Sequence, residues 1–338
     1  MQLEEMRHNT GMIIPVWFPE SMDIELMKQT LMPVLTDAMH ICNGDNILIV
    51  IDGSVHARDA TFRLRDKLGH FEVLILEKNL GKGGAVAAGL KRLFKNPDLE
   101  YFITRDHDND HLANDALNLA RLAKHMRSEL GHNRVMTIGR RTSIHRHLGF
   151  ERGEFEVMMN EFSFAAATFS AARSGFVFDT QFFAGYDLVP DMQTGFKCYT
   201  RDTACLMITS VEQLAVQDLD IQRHGAEIPP IIETLLAKGT IGEINRVSWE
   251  NQPITTYDSK NRIEVKGTVL AWVLMRSALP LEVAKQLLAN AIARRTLAKE
   301  ENGMDTLKKI ANWALTKAAA IRDDHFEPLQ KITFSDYF

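Results

Sequence analysis

As far as residue 140, apolar positions fall into short continuous runs that alternate with helical stripes. Residues 12–18 form the first run, broken by Pro19-Glu20-Ser21. Ile24, Met27, Leu31, Val34 and Leu35 then recur at helical spacing, which predicts a helix with one apolar face, kinked or split by Pro33. Residues 46–51 are almost wholly apolar, the pattern of a central parallel strand covered on both faces. This run ends in Asp52-Gly53-Ser54, and 57–68 supply the return helix. A third strand is predicted over 71–76, followed by Glu77 to Gly84 and a helix from about Ala85, with Val86, Leu90, Leu93 and Phe94 as its buried stripe. A fourth strand (99–104), a helix (113–130) and a fifth strand (134–139) complete the series. Five alternations with short connections predict an α/β fold with a mainly parallel, doubly wound sheet, whose ligands sit outside the carboxyl ends of the strands. Glu20, Asp52, Lys82, Asp106 with Asp108, and Arg140 each fall at such an end, so one site along one sheet edge is expected.

Beyond Arg140 the pattern changes. Residues 141–153 are polar and rich in His and Arg, and read as a mobile loop. Helices are predicted over 155–172, 201–208 and 229–238, with an acidic, polar stretch at 215–224 and an edge strand at 244–249. From residue 261 only helices are expected. Ala284, Leu287, Leu288, Ala291 and Ile292 form one stripe, Leu307, Ile310, Ala311, Ala314 and Ala318 another, and Gly303 separates them. Each apolar face must be covered, by the main domain or by a second copy of the chain, so a homo-oligomer through these helices is one expectation.

Composition narrows the function classes. The apolar fraction of 45% and charged fraction of 25% are those of a globular protein. With 39 basic and 44 acidic side chains the formal net charge is −5, which argues against a general nucleic-acid binder. Cys42, Cys198 and Cys205 lack metal-site spacing and read as reduced thiols of a cytoplasmic protein. The polar, acidic residues 1–10 do not resemble a signal peptide, and 269–275 is too short to span a bilayer. Any membrane association is therefore expected to be peripheral.

The segment Thr104-Arg105-Asp106-His107-Asp108-Asn109-Asp110-His111 concentrates the chemistry. Oxygen ligands suit Mg2+ or Mn2+, and such an ion commonly carries a substrate's phosphates. Read by itself, the segment fits equally well a polar turn that caps the next helix.

Taken in order, the strand ends resemble the family 2 glycosyltransferases of the GT-A fold, notably members acting on polyprenyl phosphates. The resemblance is carried by Ile14-Pro15-Val16 with Glu20, Val50-Ile51-Asp52-Gly53-Ser54, Asn79-Leu80-Gly81-Lys82-Gly83-Gly84-Ala85, Asp106-His107-Asp108-Asn109-Asp110-His111 and Asp191-Met192-Gln193-Thr194-Gly195-Phe196-Lys197. It spans roughly the first three-quarters of the chain. It implies a catalytic domain over 1–255, with a donor half at about 12–140 and an acceptor half at 141–255, and a helical extension over 256–338. It also implies metal-dependent transfer of a sugar from a nucleotide-sugar donor, inverting and non-processive, to a lipid phosphate or a soluble acceptor.

The resemblance assigns roles as well. Asp108 matches the direct metal ligand, and Asp106 matches the ligand that also reaches the ribose. Asp52, beside Gly53, matches the carboxylate on the base or ribose, with Pro15 and Glu20 lining the same pocket. Gly83 and its neighbouring glycines would let the backbone approach the donor while Lys82 offers a cation. Arg140 is open to a phosphate or a salt bridge. Asp191 is the candidate general base, with Asp218 and Asp220 as rivals, and His224 is open to a third metal-ligand role or a structural one.

Three departures stand out. Ile51 replaces an acidic residue, Asp110 adds a carboxylate, and the arginine-rich acceptor motif of processive synthases is not evident. Three alternatives remain at this stage, one of them a retaining transferase with a related GT-A domain, because stereochemistry is not written in these motifs. A sugar-phosphate nucleotidyltransferase would carry a glycine-rich loop after the first strand, where this chain has Trp17-Phe18-Pro19-Glu20. A non-catalytic nucleotide-sugar-binding assembly protein would use the C-terminal helices for association.

Overall fold

The computed structural model describes residues 1–145, 149–185, 189–214, 219–248 and 262–333. A seven-stranded sheet runs through the centre in the order β3-β2-β1-β4-β6-β5-β7. Its strands are β1 (Thr10–Val16), β2 (Ile47–Asp52), β3 (Glu72–Leu76), β4 (Tyr101–Thr104), β5 (Val135–Arg141), β6 (Lys197–Thr200) and β7 (Thr240–Arg246). All neighbours pair in parallel except β6, which is antiparallel to both β4 and β5. The predicted α/β class with a mainly parallel sheet is what the structure shows.

Side-chain alternation along the strands divides the core into two layers. Met12, Ile14, Val16, Ile49, Ile51 and Ile103 face one side, where α1 (Leu3–Asn9), α2 (Ile24–Ile41), α3 (Val55–Leu68) and α5 (Ala113–Leu130) cover them. Ile13, Leu48, Val50 and Phe102 face the other, covered by α4 (Gly81–Leu93), α6 (Phe150–Arg173), α7 (Arg201–Leu214) and α9 (Ile228–Leu236). A single turn of helix, α8 (Ile221–His224), precedes α9.

The last three helices, α10 (Arg262–Arg276), α11 (Leu281–Ala293) and α12 (Glu301–Arg322), belong to the second layer. Both predicted stripes are buried, and they pack on the rest of the same chain. Among the described residues no helix is long and apolar enough to cross a membrane.

Several boundaries differ from the sequence expectation for physical reasons. Pro33 lies inside α2 without dividing it. The helix expected from Ala85 already begins at Gly81, so the glycine segment is its first turn. The supposed loop at 141–153 gives way to α6 from Phe150, and the predicted edge strand lies earlier, over β7. Gly303 sits within the first turn of α12, and the break before it falls at 294–300. Strand β6 was not expected: four residues beginning with a lysine carry too little periodicity to be read.

Candidate functional site

The carboxyl ends of β2, β1 and β4 lie side by side and present the predicted polar residues on one edge. Asp52 ends β2, and its Oδ1 accepts a 2.7 Å hydrogen bond from the Leu80 N–H. Burial raises the Asp52 pKa, and the Leu80 and Gly81 N–H groups oppose that shift. Gly53 has φ +69°, and a Cβ there would collide with the Asn79 backbone, so the turn requires glycine.

The glycines after β3 also have a packing role. A Cβ on Gly81, which has φ +78°, would meet Arg223, and one on Gly83 would meet the Gln222 carbonyl. They allow α4 and α8 to approach each other, joining the two halves of the chain. Arg223 reinforces this contact through Asn79 Oδ1 at 3.3 Å.

Lys82 extends from the first turn of α4 to the acidic cluster. Its Nζ lies 2.8 and 3.0 Å from the two carboxylate oxygens of Asp106 and 2.9 Å from Glu227 Oε1. Burial opposes the Lys82 charge, but the two carboxylates outweigh it and hold the pKa above the ordinary lysine value. Burial likewise works against the Asp106 charge, and Lys82 and His111 outweigh it, so Asp106 titrates well below the usual carboxylate range. The Asp106 N–H donates to His111 Nδ1 at 3.0 Å, and the His111 ring stacks on Phe196 with centroids 4.4 Å apart.

The intervening His107 points the other way. Its Nδ1 donates to the Pro15 carbonyl at 3.1 Å, and its ring meets Phe18 edge-on. Asp108 Oδ1 accepts from the Asp110 N–H at 3.1 Å. Burial and then the Asp106 charge raise the Asp108 pKa, and no ion pair reaches this carboxylate among the described residues.

Asp106 and Asp108 give an oxygen-donor set of the kind suited to a hard divalent cation. Among the described residues no three His, Cys, Asp or Glu side chains come together as a metal site. His224 is therefore not brought to these aspartates as a third ligand. It sits half-buried on α8, where burial lowers its pKa. Two carboxylates with substrate phosphates completing the coordination is the usual arrangement for Mg2+.

The remaining candidates divide clearly. Asp110 pairs with Arg246 of β7 at 3.2 Å, which gives the extra carboxylate a structural partner. Glu20 is exposed in the turn after β1. Arg140 is held by the Val189 carbonyl at 3.0 Å and by Glu243 at 3.2 Å. Asp191 is buried, and Arg141 binds both of its oxygens, through Nη2 at 2.7 Å and Nε at 2.8 Å. Burial opposes the Asp191 charge, but Arg141 prevails and lowers the pKa. Asp220 is the N-cap of α8, accepting from the Arg223 N–H at 3.3 Å. Asp218 lies outside the described residues.

Glu227 was missed by sequence reasoning. It precedes Pro229-Pro230 and passes for the start of a helix, and nothing local signals that it meets Lys82. Gly195 completes this corner. Thr104 Oγ1 donates to its carbonyl at 2.9 Å, and a Cβ on it would lie 2.5 Å from Lys82 Nζ and 2.8 Å from Asp106 Oδ2.

Lys197, fully buried in β6, donates to the Thr194 carbonyl. Burial brings its pKa down to about 7. Between that value and its ordinary one near 10.5, the unfolded chain holds the proton and the native protein does not, so stability rises with pH across this window. Lys197→Met is expected to stabilise the protein by roughly 2–4 kcal/mol at pH 7, with the gain shrinking toward pH 10. Urea unfolding at the two pH values checks this, and a pH-independent difference would contradict it.

No family model and no curated protein matches the chain. Among solved structures it is similar to S. aureus TarS 1-349, at 13% identity and TM-score 0.44 over 93% of this chain and 88% of that one. The TarS 1-349 complex with UDP-GlcNAc gives 12% identity and TM-score 0.43 over 94% and 93%. A longer TarS structure gives 13% and 0.39, over 93% of this chain and 55% of that one. At this level of likeness, functional assignment falls to the chain's own residues.

Proposed function

We propose that the protein is a nucleotide-sugar-dependent glycosyltransferase of the GT-A type, inverting and non-processive. The observation that carries this reading is the convergence of Asp52, Lys82, Asp106 and Asp108 on one edge of a parallel sheet, each at a strand end or in the first turn after it. In this reading Asp52 and Gly53 receive the nucleoside, with Pro15 and Glu20 beside it. Asp106 and Asp108 would hold Mg2+ or Mn2+, which when bound neutralises charge developing on the leaving diphosphate. Lys82 offers a second positive charge to the same phosphates.

Transfer requires an acceptor oxygen to attack the sugar carbon as its bond to the diphosphate breaks, and a hydroxyl acceptor must lose its proton to a base. Asp191 has both oxygens bound by Arg141, and Asp220 caps α8. We assign the proton to Glu227, the acceptor-half carboxylate that pairs with Lys82 beside the acidic cluster. Arg140, which the sequence left open to a phosphate, and its neighbour Arg141 are engaged by Glu243, Asp191 and Glu156. That favours a hydroxyl acceptor over a lipid phosphate. The catalytic domain is taken as 1–255 and the helical extension as 256–338.

Hydrolysis of a panel of nucleotide sugars, followed with Mn2+ and again with excess chelator, tests the reading. At least one donor is expected to be turned over with the metal and not with the chelator. Turnover indifferent to chelator, or no donor accepted, would defeat it.

A further inference from the structure

Lys82 holds an unusual position for a residue expected to bind phosphate. Its ammonium does not point into open space: it contacts both oxygens of Asp106, a proposed cation ligand, and one oxygen of Glu227, the proposed base. It thus links the donor half to the acceptor half. Gly195 leaves room for this arrangement, because a Cβ there would lie 2.5 Å from Nζ. The Lys82 side chain is still 32% exposed, so an incoming anion can reach it.

A divalent cation and a lysine ammonium compete for the Asp106 oxygens, since like charges a few ångströms apart repel where water is partly excluded. With a cation held at Asp106 the Lys82 contact there would weaken, and a bound diphosphate would offer the ammonium a new partner. We propose that Lys82 stands in for the divalent cation in the ligand-free protein and passes to the donor's phosphates on binding, which releases Glu227 only once the donor is in place. This rests on the glycosyltransferase reading and adds an order to it: donor first, acceptor deprotonation second. The acceptor-side carboxylate stays neutralised until there is a donor to attack.

The handover makes cation and diphosphate binding interdependent through Lys82, and such coupling is reciprocal. Mn2+ binding to the full chain is measured alone and with UDP, GDP or ADP, for the wild type and for Lys82→Met. The wild type is expected to bind Mn2+ weakly alone and roughly tenfold or more tightly with a diphosphate. Lys82→Met should bind Mn2+ alone roughly tenfold more tightly than the wild type, with the coupling to diphosphate reduced several-fold. Loss of a nearby positive charge alone would tighten Mn2+ and leave the coupling intact, and that result overturns the handover.

Acetylation of Lys82 in the wild-type chain, read by mass spectrometry, requires no variant. Labelling should rise with saturating Mn2+ and fall again when the diphosphate is added; labelling unchanged by Mn2+ also overturns the proposal. Should the wild type show no coupling between Mn2+ and any diphosphate, the glycosyltransferase reading fails and the handover with it. Coupling that persists unchanged in Lys82→Met defeats the handover alone.

Discussion

Replacing Arg141 with methionine is expected to destabilise the protein by about 3–5 kcal/mol at pH 7. Arg141 binds Asp191 through two side-chain nitrogens and Glu156 through Nη1 at 2.8 Å, and all three side chains are buried. Methionine fills much of the volume but leaves two carboxylates without their shared counter-charge. Asp191 would retain the Arg141 N–H at 3.1 Å, while Glu156 would retain Arg152 at 3.0 Å and the more distant Lys266 at 3.7 Å.

The pH dependence has a definite sign. In the wild type the Asp191 pKa lies below its unfolded value, so its contribution is present above the ordinary carboxylate range and is lost as pH falls through the native pKa. In the variant, burial without Arg141 raises the Asp191 pKa, and protonation relieves the unpaired charge. The gap between the two proteins should therefore narrow from pH 7 to about pH 4.5. Chemical unfolding at both pH values decides the matter: a loss under about 1 kcal/mol, or a gap that widens on acidification, would contradict the role given to Arg141.

The second large effect concerns turnover. Glu227→Gln keeps the shape and the ability to accept a hydrogen bond from Lys82, but it cannot take a proton. Its kcat is expected to fall by about 10²–10⁴-fold while the donor dissociation constant changes little. A loss confined to donor affinity would make Glu227 a mere partner of Lys82. Unchanged turnover would return the base to Asp220 or to Asp218.

Much of the donor side was legible because its signals are local. The runs at 46–51 and 99–104 read as strands, and residues that follow a strand in a parallel sheet must lie at its carboxyl end. Asp52, Asp106 and Asp108 could therefore be placed on a common edge without knowing any contact. What escaped depends on partners remote in sequence. Asp110 had no explanation until Arg246, 136 residues later, arrived from β7. Asp191 looked like a free acceptor-side carboxylate until Arg141 was found on it from β5. The glycines at 81 and 83 resembled a ligand cradle, yet their need for small side chains comes from α8. Strand β6 runs against its neighbours, and four residues cannot announce their direction.

In the proposed reading Asp106 and Asp108 would hold a divalent cation that carries a nucleotide-sugar donor. Calorimetric titration of Mn2+ with a panel of nucleotide sugars into the wild type and Asp108→Ala tests it most directly. At least one donor is expected to bind the wild type only with Mn2+, and Asp108→Ala should weaken that binding by about 100-fold or more, the size expected when an interaction worth several kcal/mol disappears. A donor bound equally well without the metal, or equally well by Asp108→Ala, would contradict it.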